Sequence, residues 1–384
     1  MAYNRKQRLN DNIKAIETAF ILDREQRTPT ARERLLLERY CGFGGLKCIL
    51  NPARELADAV HWAKSDLELF APTVELHRLI RENSKNESEY KQLMDSLKQS
   101  VLTAFYTPSA VTEALTDVLK EHQIIPEKVL EPSAGIGAFV DSVLDNNPKA
   151  DIMAFEKDLL TGKILHHLHP EQKVRIEGFE KIEKPFNDYF DLAISNIPFG
   201  DVAVFDPSYT AMKGMRALVT RRIHNYFFVK ALDTVRDGGL VAFITSQGVL
   251  NAKNNSAARF MMLYHADLVS AIRLPNNLFT ENANTEVGSD LIILQKNSQK
   301  ESLRGDDNLL DTVYNDENRI PTNNYFLEHP ERIIHTTAKL DTDSFGKPAM
   351  IYTHEDGVEG IADDLRKMLH EDFKKNLNLN RYLG

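Results

Sequence analysis

The chain has 384 residues, of which 42% are hydrophobic and 27% charged, the balance of a folded protein with room for two or three domains around a sizeable core. Two cysteines, Cys41 and Cys48, are too few for a disulfide framework and lack partners at zinc-ligand spacing, and no apolar run reaches the roughly 18 residues of a membrane helix. A reducing, cytoplasmic setting with no membrane and no metal is expected, while the net charge of −9 argues at first sight against nucleic acid, whose phosphates call for positive charge.

The opening Asn4-Arg5-Lys6-Gln7-Arg8 carries no signal-peptide core. Apolar residues then recur at helical spacing, at Ile13, Ile16, Phe20 and Ile21 and again at Leu35, Leu36, Leu37 and Tyr40. Cys41-Gly42-Phe43-Gly44-Gly45 stops the helix; it reads as a terminator, a hinge or a ligand loop. Further helical stretches are expected around residues 56–69 and 74–102, completing an N-terminal helical region over 1–103. From 104 to 300 short apolar runs alternate with helical segments: Lys128-Val129-Leu130, Ile152–Phe155, Val174-Arg175-Ile176, Phe190–Ile194, Gly239–Ile244, Leu268–Ile272 and Asp290–Leu294. Continuous apolar runs suit strands buried on both faces, so a doubly wound α/β sheet of about seven strands is expected. Residues 301–384 form an acidic C-terminal extension with a helix near Ile361–Leu369.

Three strand ends carry chemistry. Glu131-Pro132-Ser133-Ala134-Gly135-Ile136-Gly137-Ala138-Phe139 follows the first run, where a glycine pair lets backbone approach a ligand. Val140 stands where a dinucleotide fingerprint needs its third glycine. An acid at a strand end, such as Glu131, can pair with an ammonium, and Glu156, at the end of the second run, can accept the hydroxyls of a ribose. Together they suggest S-adenosylmethionine rather than a nicotinamide cofactor. After the fourth run comes Ser195-Asn196-Ile197-Pro198-Phe199-Gly200. An aromatic amino nitrogen is a poor nucleophile, and a side-chain oxygen from Asn196 with the carbonyl of Ile197 can hold both its N–H groups as positive charge develops. Pro198 stiffens the loop and Phe199 offers a face for a planar base.

These motifs resemble the gamma-type DNA adenine-N6 methyltransferases of the N-6 DNA methylase family, with an Asn-Pro-Pro-aromatic catalytic motif. The resemblance covers residues 104–296 and implies a Rossmann-like methyltransferase fold. It implies that Phe105, Tyr106, Thr107 and Pro108 cover the methionine end of the cofactor and that Phe179 lies near its adenine. Ile197 replaces the first Pro of the motif, a position that contributes a carbonyl. Arg39–Leu46, Asn196–Asp201, Ile223–Phe228 and Ile272–Asn276 further resemble the methyltransferase region of the methylase–helicase proteins of phages and conjugative elements.

The resulting expectation is methyl transfer to adenine N6 in double-stranded DNA, with the base flipped out and a separate specificity or helicase partner. The same loop also suits RNA bases or protein glutamine, and a non-catalytic module of an antirestriction assembly is a reading of another class. His224, Tyr226 and Phe227 have two readings, as lining of the target-base pocket or as a helix packing its aromatics inward. Arg216, Arg221 and Arg222 likewise suit either phosphate contacts or a solvated face. His166-His167-x-His169 reads as surface. The charge objection weakens on inspection: residues 301–384 hold 10 Lys+Arg against 17 Asp+Glu, so the acidity lies mostly outside the methyltransferase-like region and is expected to face away from phosphates.

Overall fold

The computed structural model describes residues 4–103, 106–212, 214–280, 286–303, 307–315, 319–343 and 346–384. Four helices come first, α1 (Arg5–Glu25), α2 (Ala31–Leu37), α3 (Phe70–Glu82) and α4 (Glu87–Thr103). The Thr30-x-x-Glu33 capping box starts α2, each side chain accepting from the other's backbone. Residues 56–69 differ from expectation: they form two 3₁₀ turns instead of an α-helix. Leu56 and Val60 are 85% and 80% exposed, so no buried stripe rewards a helix there. The expected helix over 74–102 is two helices, broken at Asn83-Ser84-Lys85-Asn86.

The α/β part follows as α5 (Ser109–Glu121), β1 (Lys128–Glu131), α6 (Ala138–Asn146), β2 (Asp151–Phe155), α7 (Leu159–Leu168), β3 (Lys173–Arg175) and β4 (Phe190–Asn196). It continues through α8 (Pro207–Thr210), α9 (Met215–Val219), α10 (Ile223–Thr234), β5 (Val235–Ser246), α11 (Gly248–Asn251), α12 (Ser256–His265), β6 (Ala266–Leu274) and β7 (Ser289–Lys296). The seven strands take the order β3-β2-β1-β4-β5-β7-β6. This is the doubly wound order with β7 slotted between β5 and β6, antiparallel to both. The expected doubly wound α/β fold is therefore present.

Both faces of the sheet are buried, which is why the strands read as unbroken apolar runs. Val129, Ile152, Leu192, Ile194, Leu240 and Ala242 face a core shared with α5, α6 and the helix Gly357–Asn376. Their neighbours Leu130, Met153, Phe155, Ala193, Val241 and Phe243 face one shared with α10 and α12. A third core joins α1, α3 and α4 to Leu160, Ile164 and Leu168 of α7, so the helical preface is welded to the sheet's own crossover helix. The C-terminal residues are also built in: Asp372 is 3% exposed, accepts from Ser270 Oγ at 2.7 Å and pairs with Arg332 at 3.0 Å. No helix among the described residues is long and apolar enough to cross a membrane.

Ile272-Arg273-Leu274-Pro275-Asn276 has a structural account. Arg273 on β6 faces Asp290 on β7 in register and reaches its carboxylate through Nε at 2.9 Å and Nη2 at 3.2 Å. Nη2 also donates to Asn251 Oδ1 at 3.0 Å, and the guanidinium lies 4.1 Å over the Phe326 ring. Asn276 Oδ1 accepts from the Tyr352 amide at 3.0 Å. The motif fastens the sheet edge to residues downstream of it.

Candidate active site

β2, β1 and β4 are adjacent and parallel, so the loops at their carboxyl ends share one rim. Hydrogen bonds fix them to one another. Ser195 Oγ donates to Ser133 O at 3.2 Å, the Ala134 amide to Phe155 O at 2.8 Å, and the Gly135 amide to Glu156 Oε2 at 2.8 Å. The sequence motifs at Glu131, Gly135, Glu156 and Asn196 are thus brought to one place, although they lie 65 positions apart along the chain.

Glu131 is 1% exposed and its Oε2 has no hydrogen-bond partner. Burial holds its carboxyl well above the usual carboxylate range, against the pull of Ser195. Leaving a buried acid oxygen without a partner costs stability, and an ammonium delivered by a ligand would satisfy it. Pro132 and Ala134 are buried. Gly135 and Gly137 have φ of +57° and +92°, and a Cβ at Gly135 would stand 2.8 Å from the Tyr106 ring. At Gly137 it would meet His169 Nε2 and Leu165 Cδ1 at 2.8 Å. Both positions need glycine for conformation and for room. Phe139, 2% exposed, pins the start of α6 into the first core.

Glu156 is half-buried; burial raises its carboxyl, while the amides of Asp158 (2.7 Å to Oε1) and Gly135 hold it down. Phe105 lies outside the described residues. Tyr106 and Pro108 are half-buried, and Thr107 is 6% exposed with its Oγ1 unpartnered. Phe179 sits beneath β2, 5.8 Å from the Phe155 ring and 5.2 Å from Phe227.

Asn196 ends β4, and the Ile197 amide donates to Ile244 O at 3.0 Å. That bond extends the β4–β5 ladder, which the proline of the family motif could not do. The Ile197 side chain is 1% exposed, so it anchors the loop from below. Pro198 disfavours helical backbone at Ile197 and so limits where its carbonyl points. Phe199 is half-buried and meets Phe279 edge-on at 6.4 Å.

The remaining candidates are three residues of α10 and three arginines before or at its start. His224, Tyr226 and Phe227 are 3%, 0% and 5% exposed, and the two rings pack on Phe179 and Tyr209. Helix packing accounts for them, and they offer no open face to a base. Arg216 is held by Asp233 at 2.6 and 2.9 Å, and Arg222 by Asp201 at 2.8 Å and Asn255 at 2.6 Å. Arg221 is exposed. His167 and His169 are buried, not surface; His167 meets Asp23 at 2.8 Å, and burial pushes His169 down to about 4.

Sequence reasoning missed the polar cluster behind Glu156. Asp158 bonds the hydroxyls of Ser96 from α4 and Thr161 from α7. Thr161 is in turn 3.2 Å from Tyr40 OH and 3.5 Å from Tyr106 OH. The glycine stretch holds Tyr40 in place: Asn12 Nδ2 donates to Gly42 O at 2.6 Å and Asn12 Oδ1 accepts from Cys41 at 2.9 Å, while the Phe43 amide donates to Ser100 Oγ at 3.1 Å. Asp-x-x-Thr at a helix start was the available signal. Burial, then Glu156, pushes the Asp158 carboxyl up to about 7. A raised acid costs stability as it ionises, so the penalty grows from the unfolded pKa near 4 to the folded value near 7. Asp158→Asn is expected to gain thermal stability over the wild type as pH rises from 4 to 7 and to hold that margin above it. Melting curves at pH 5, 6, 7 and 8 check this, and a margin independent of pH would contradict it.

Residues 88–356 match the N-6 DNA Methylase family. The chain belongs to this family. Among curated relatives, this N-6 DNA methylase is 29% identical over 201 residues to "Defense against restriction protein B" of Escherichia phage P1, covering 51% of this chain and 8% of that protein. It is 24% identical over 173 residues to "Type II methyltransferase M.XamI" of Xanthomonas campestris pv. amaranthicola, covering 42% of this chain and 33% of that one. The match therefore spans a third or less of either relative. Solved structures at 15% identity include a modification subunit of a putative type I restriction enzyme from Vibrio vulnificus YJ016, covering 76% of this chain and 67% of that one at a TM-score of 0.43. Another is a putative class I S-adenosylmethionine-dependent methyltransferase from Listeria monocytogenes, covering 77% and 90% at 0.44.

Proposed function

We propose that this N-6 DNA methylase transfers a methyl group from S-adenosylmethionine to the N6 amino group of adenine in double-stranded DNA, the base being flipped out of the helix. The observation that carries the reading is the meeting, on one rim, of a buried Glu131 whose Oε2 has no partner with the Asn196–Phe199 loop, tied through Ser195 and Ser133. When bound, the cofactor supplies a methyl group activated by its sulfonium charge. The residues present fit it: Glu131 for the ammonium, the Thr107 hydroxyl for the neighbouring polar end, Glu156 for the ribose, and Gly135 with Gly137 for close approach of the backbone.

In this reading Asn196 Oδ1 and the Ile197 carbonyl accept from the two N–H groups of adenine N6, bonds that strengthen as the nitrogen becomes cationic. Phe199, braced by Phe279, takes the face of the base. Choice of DNA sequence falls to a separate specificity or helicase partner. Incubation with methyl-labelled cofactor and, separately, with DNA, RNA and protein is expected to place label in DNA at adenine N6. Label confined to RNA or protein would move the acceptor. Absence of cofactor binding by calorimetry would favour a scaffold.

A further inference from the structure

Residues 200–212 and 214–222 follow the catalytic loop, and the reaction as described leaves them unused. They are firmly anchored. The Val204 amide donates to Thr220 O at 2.8 Å. Asp206, 3% exposed, accepts from the Ser208 amide at 2.8 Å, Tyr226 OH at 2.7 Å and Lys230 Nζ at 3.2 Å. Asp201 pairs with Arg222, which binds Asn255; Asn255 Nδ2 in turn donates to Gly248 O at 2.7 Å, just beyond β5. The segment is thereby held at the carboxyl end of the sheet, beside β4 and β5.

Between these anchors the chain presents apolar side chains to water. Phe205 is 77% exposed and Val202 61%, although their neighbours Val204 and Asp206 are fixed. Phe205 makes no ring contact among the described residues. A large aromatic on a braced segment at the mouth of a site is unfavourable in the free protein and suits a partner that buries it. Arg221 follows Thr220, whose carbonyl holds the Val204 amide, and Lys253 precedes Asn254, which Arg222 binds; both cations are exposed, and neither has a carboxylate partner among the described residues. An apolar tip flanked by unpaired cations matches a nucleic-acid duplex, with stacked bases inside and phosphates outside.

We propose that Phe205, with the exposed Val202 three positions before it, is the wedge that fills the gap left in the duplex by the flipped adenine, while Arg221 and Lys253 take the flanking phosphates. This rests on the DNA-methylating reading. Removing a base from the stack exposes the faces of its neighbours, and an inserted ring restores that contact without reading sequence. Because Phe205 touches neither cofactor nor the amino group, it acts on the step that brings the base out.

The test compares wild type, Phe205→Ala and Phe205→Leu for initial rate of label transfer to duplex plasmid DNA and for cofactor affinity by calorimetry. Phe205→Ala is expected to slow transfer about tenfold or more, Phe205→Leu to stay within about threefold of wild type because its apolar bulk is kept, and both to bind cofactor as wild type does. Transfer by Phe205→Ala at the wild-type rate overturns the wedge, as does a Leu variant as slow as the Ala variant, or a loss of cofactor affinity in step with rate. Wild type that labels RNA or protein but never DNA overturns the proposed function, and the wedge with it, and is told apart by the wild-type arm alone.

Discussion

Asn196→Ala is expected to slow methyl transfer by about 10²–10³-fold while cofactor affinity stays within about threefold of wild type. The side chain ends β4, and in the proposed reaction its oxygen accepts from an amino group that gains positive charge only on the way to the product. An acceptor of this kind is worth more in the transition state than in the bound complex, and removal of one preorganised polar group at such a position costs about 10²–10³-fold in kcat. Cofactor binding draws instead on Glu131, Glu156 and the glycine loop, whose placement depends on backbone bonds to Phe155 and Gly135. The measurement is single-turnover label transfer alongside calorimetry. Undiminished transfer, or a cofactor affinity that collapses with it, would overturn the assignment of roles. Asn196→Asp is a useful companion, since it keeps the acceptor and changes the charge.

The second large effect concerns stability. Arg273→Ala is expected to destabilise the fold by about 3–5 kcal/mol, the range for breaking a buried ion pair from one side. Asp290 is 0% exposed, and burial already drives its carboxyl up against the pull of Arg273. Without the guanidinium, the Asp290 carboxylate and the Phe326 face lose their partner together, and Asn251 Oδ1 keeps only the Asn323 amide. Replacing both partners by apolar residues of similar volume, Arg273→Met with Asp290→Leu, is expected to recover much of the loss, because no charge is then left uncompensated. Denaturant unfolding of the single and double variants checks the pair. A single variant that loses less than about 1 kcal/mol would show that water or another group can take the place of Arg273.

The parts of the molecule legible in the sequence are those written locally. Strands buried on both faces announce themselves as apolar runs, and Glu131, Glu156 and Asn196 each stand at the end of one, with Gly135 in the loop after the first. What the sequence hides is assembled from distant segments. The cluster behind Glu156 draws Tyr40, Ser96 and Asp158 from three elements, and none of them carries a spacing that points to the others. Apolar periodicity could not separate a pocket from a core at Tyr226 and Phe227, since rings on an inward face look alike in either role. Arg216 and Arg222 read as available cations because their acids, Asp233 and Asp201, lie 17 and 21 positions away with nothing local to pair them. The slot of β7 between β5 and β6 is likewise a matter of pairing across the sheet, invisible in the strand pattern itself.

The helix Gly357–Asn376 covers α5 and the first core, and this has a bearing on how the protein is made. More than 200 residues separate α5 from the helix that buries it. At about 5–20 residues per second of synthesis, Val111, Leu115 and Val118 wait on the order of ten seconds or more on the ribosome before their cover emerges. During that interval the nascent chain displays a greasy helix beside a half-finished sheet, the kind of surface that holding chaperones recognise. Closing so long a loop also makes the final docking slow relative to formation of the neighbouring strand pairs. Chaperone supply and translation speed therefore bear directly on how much native protein a cell obtains.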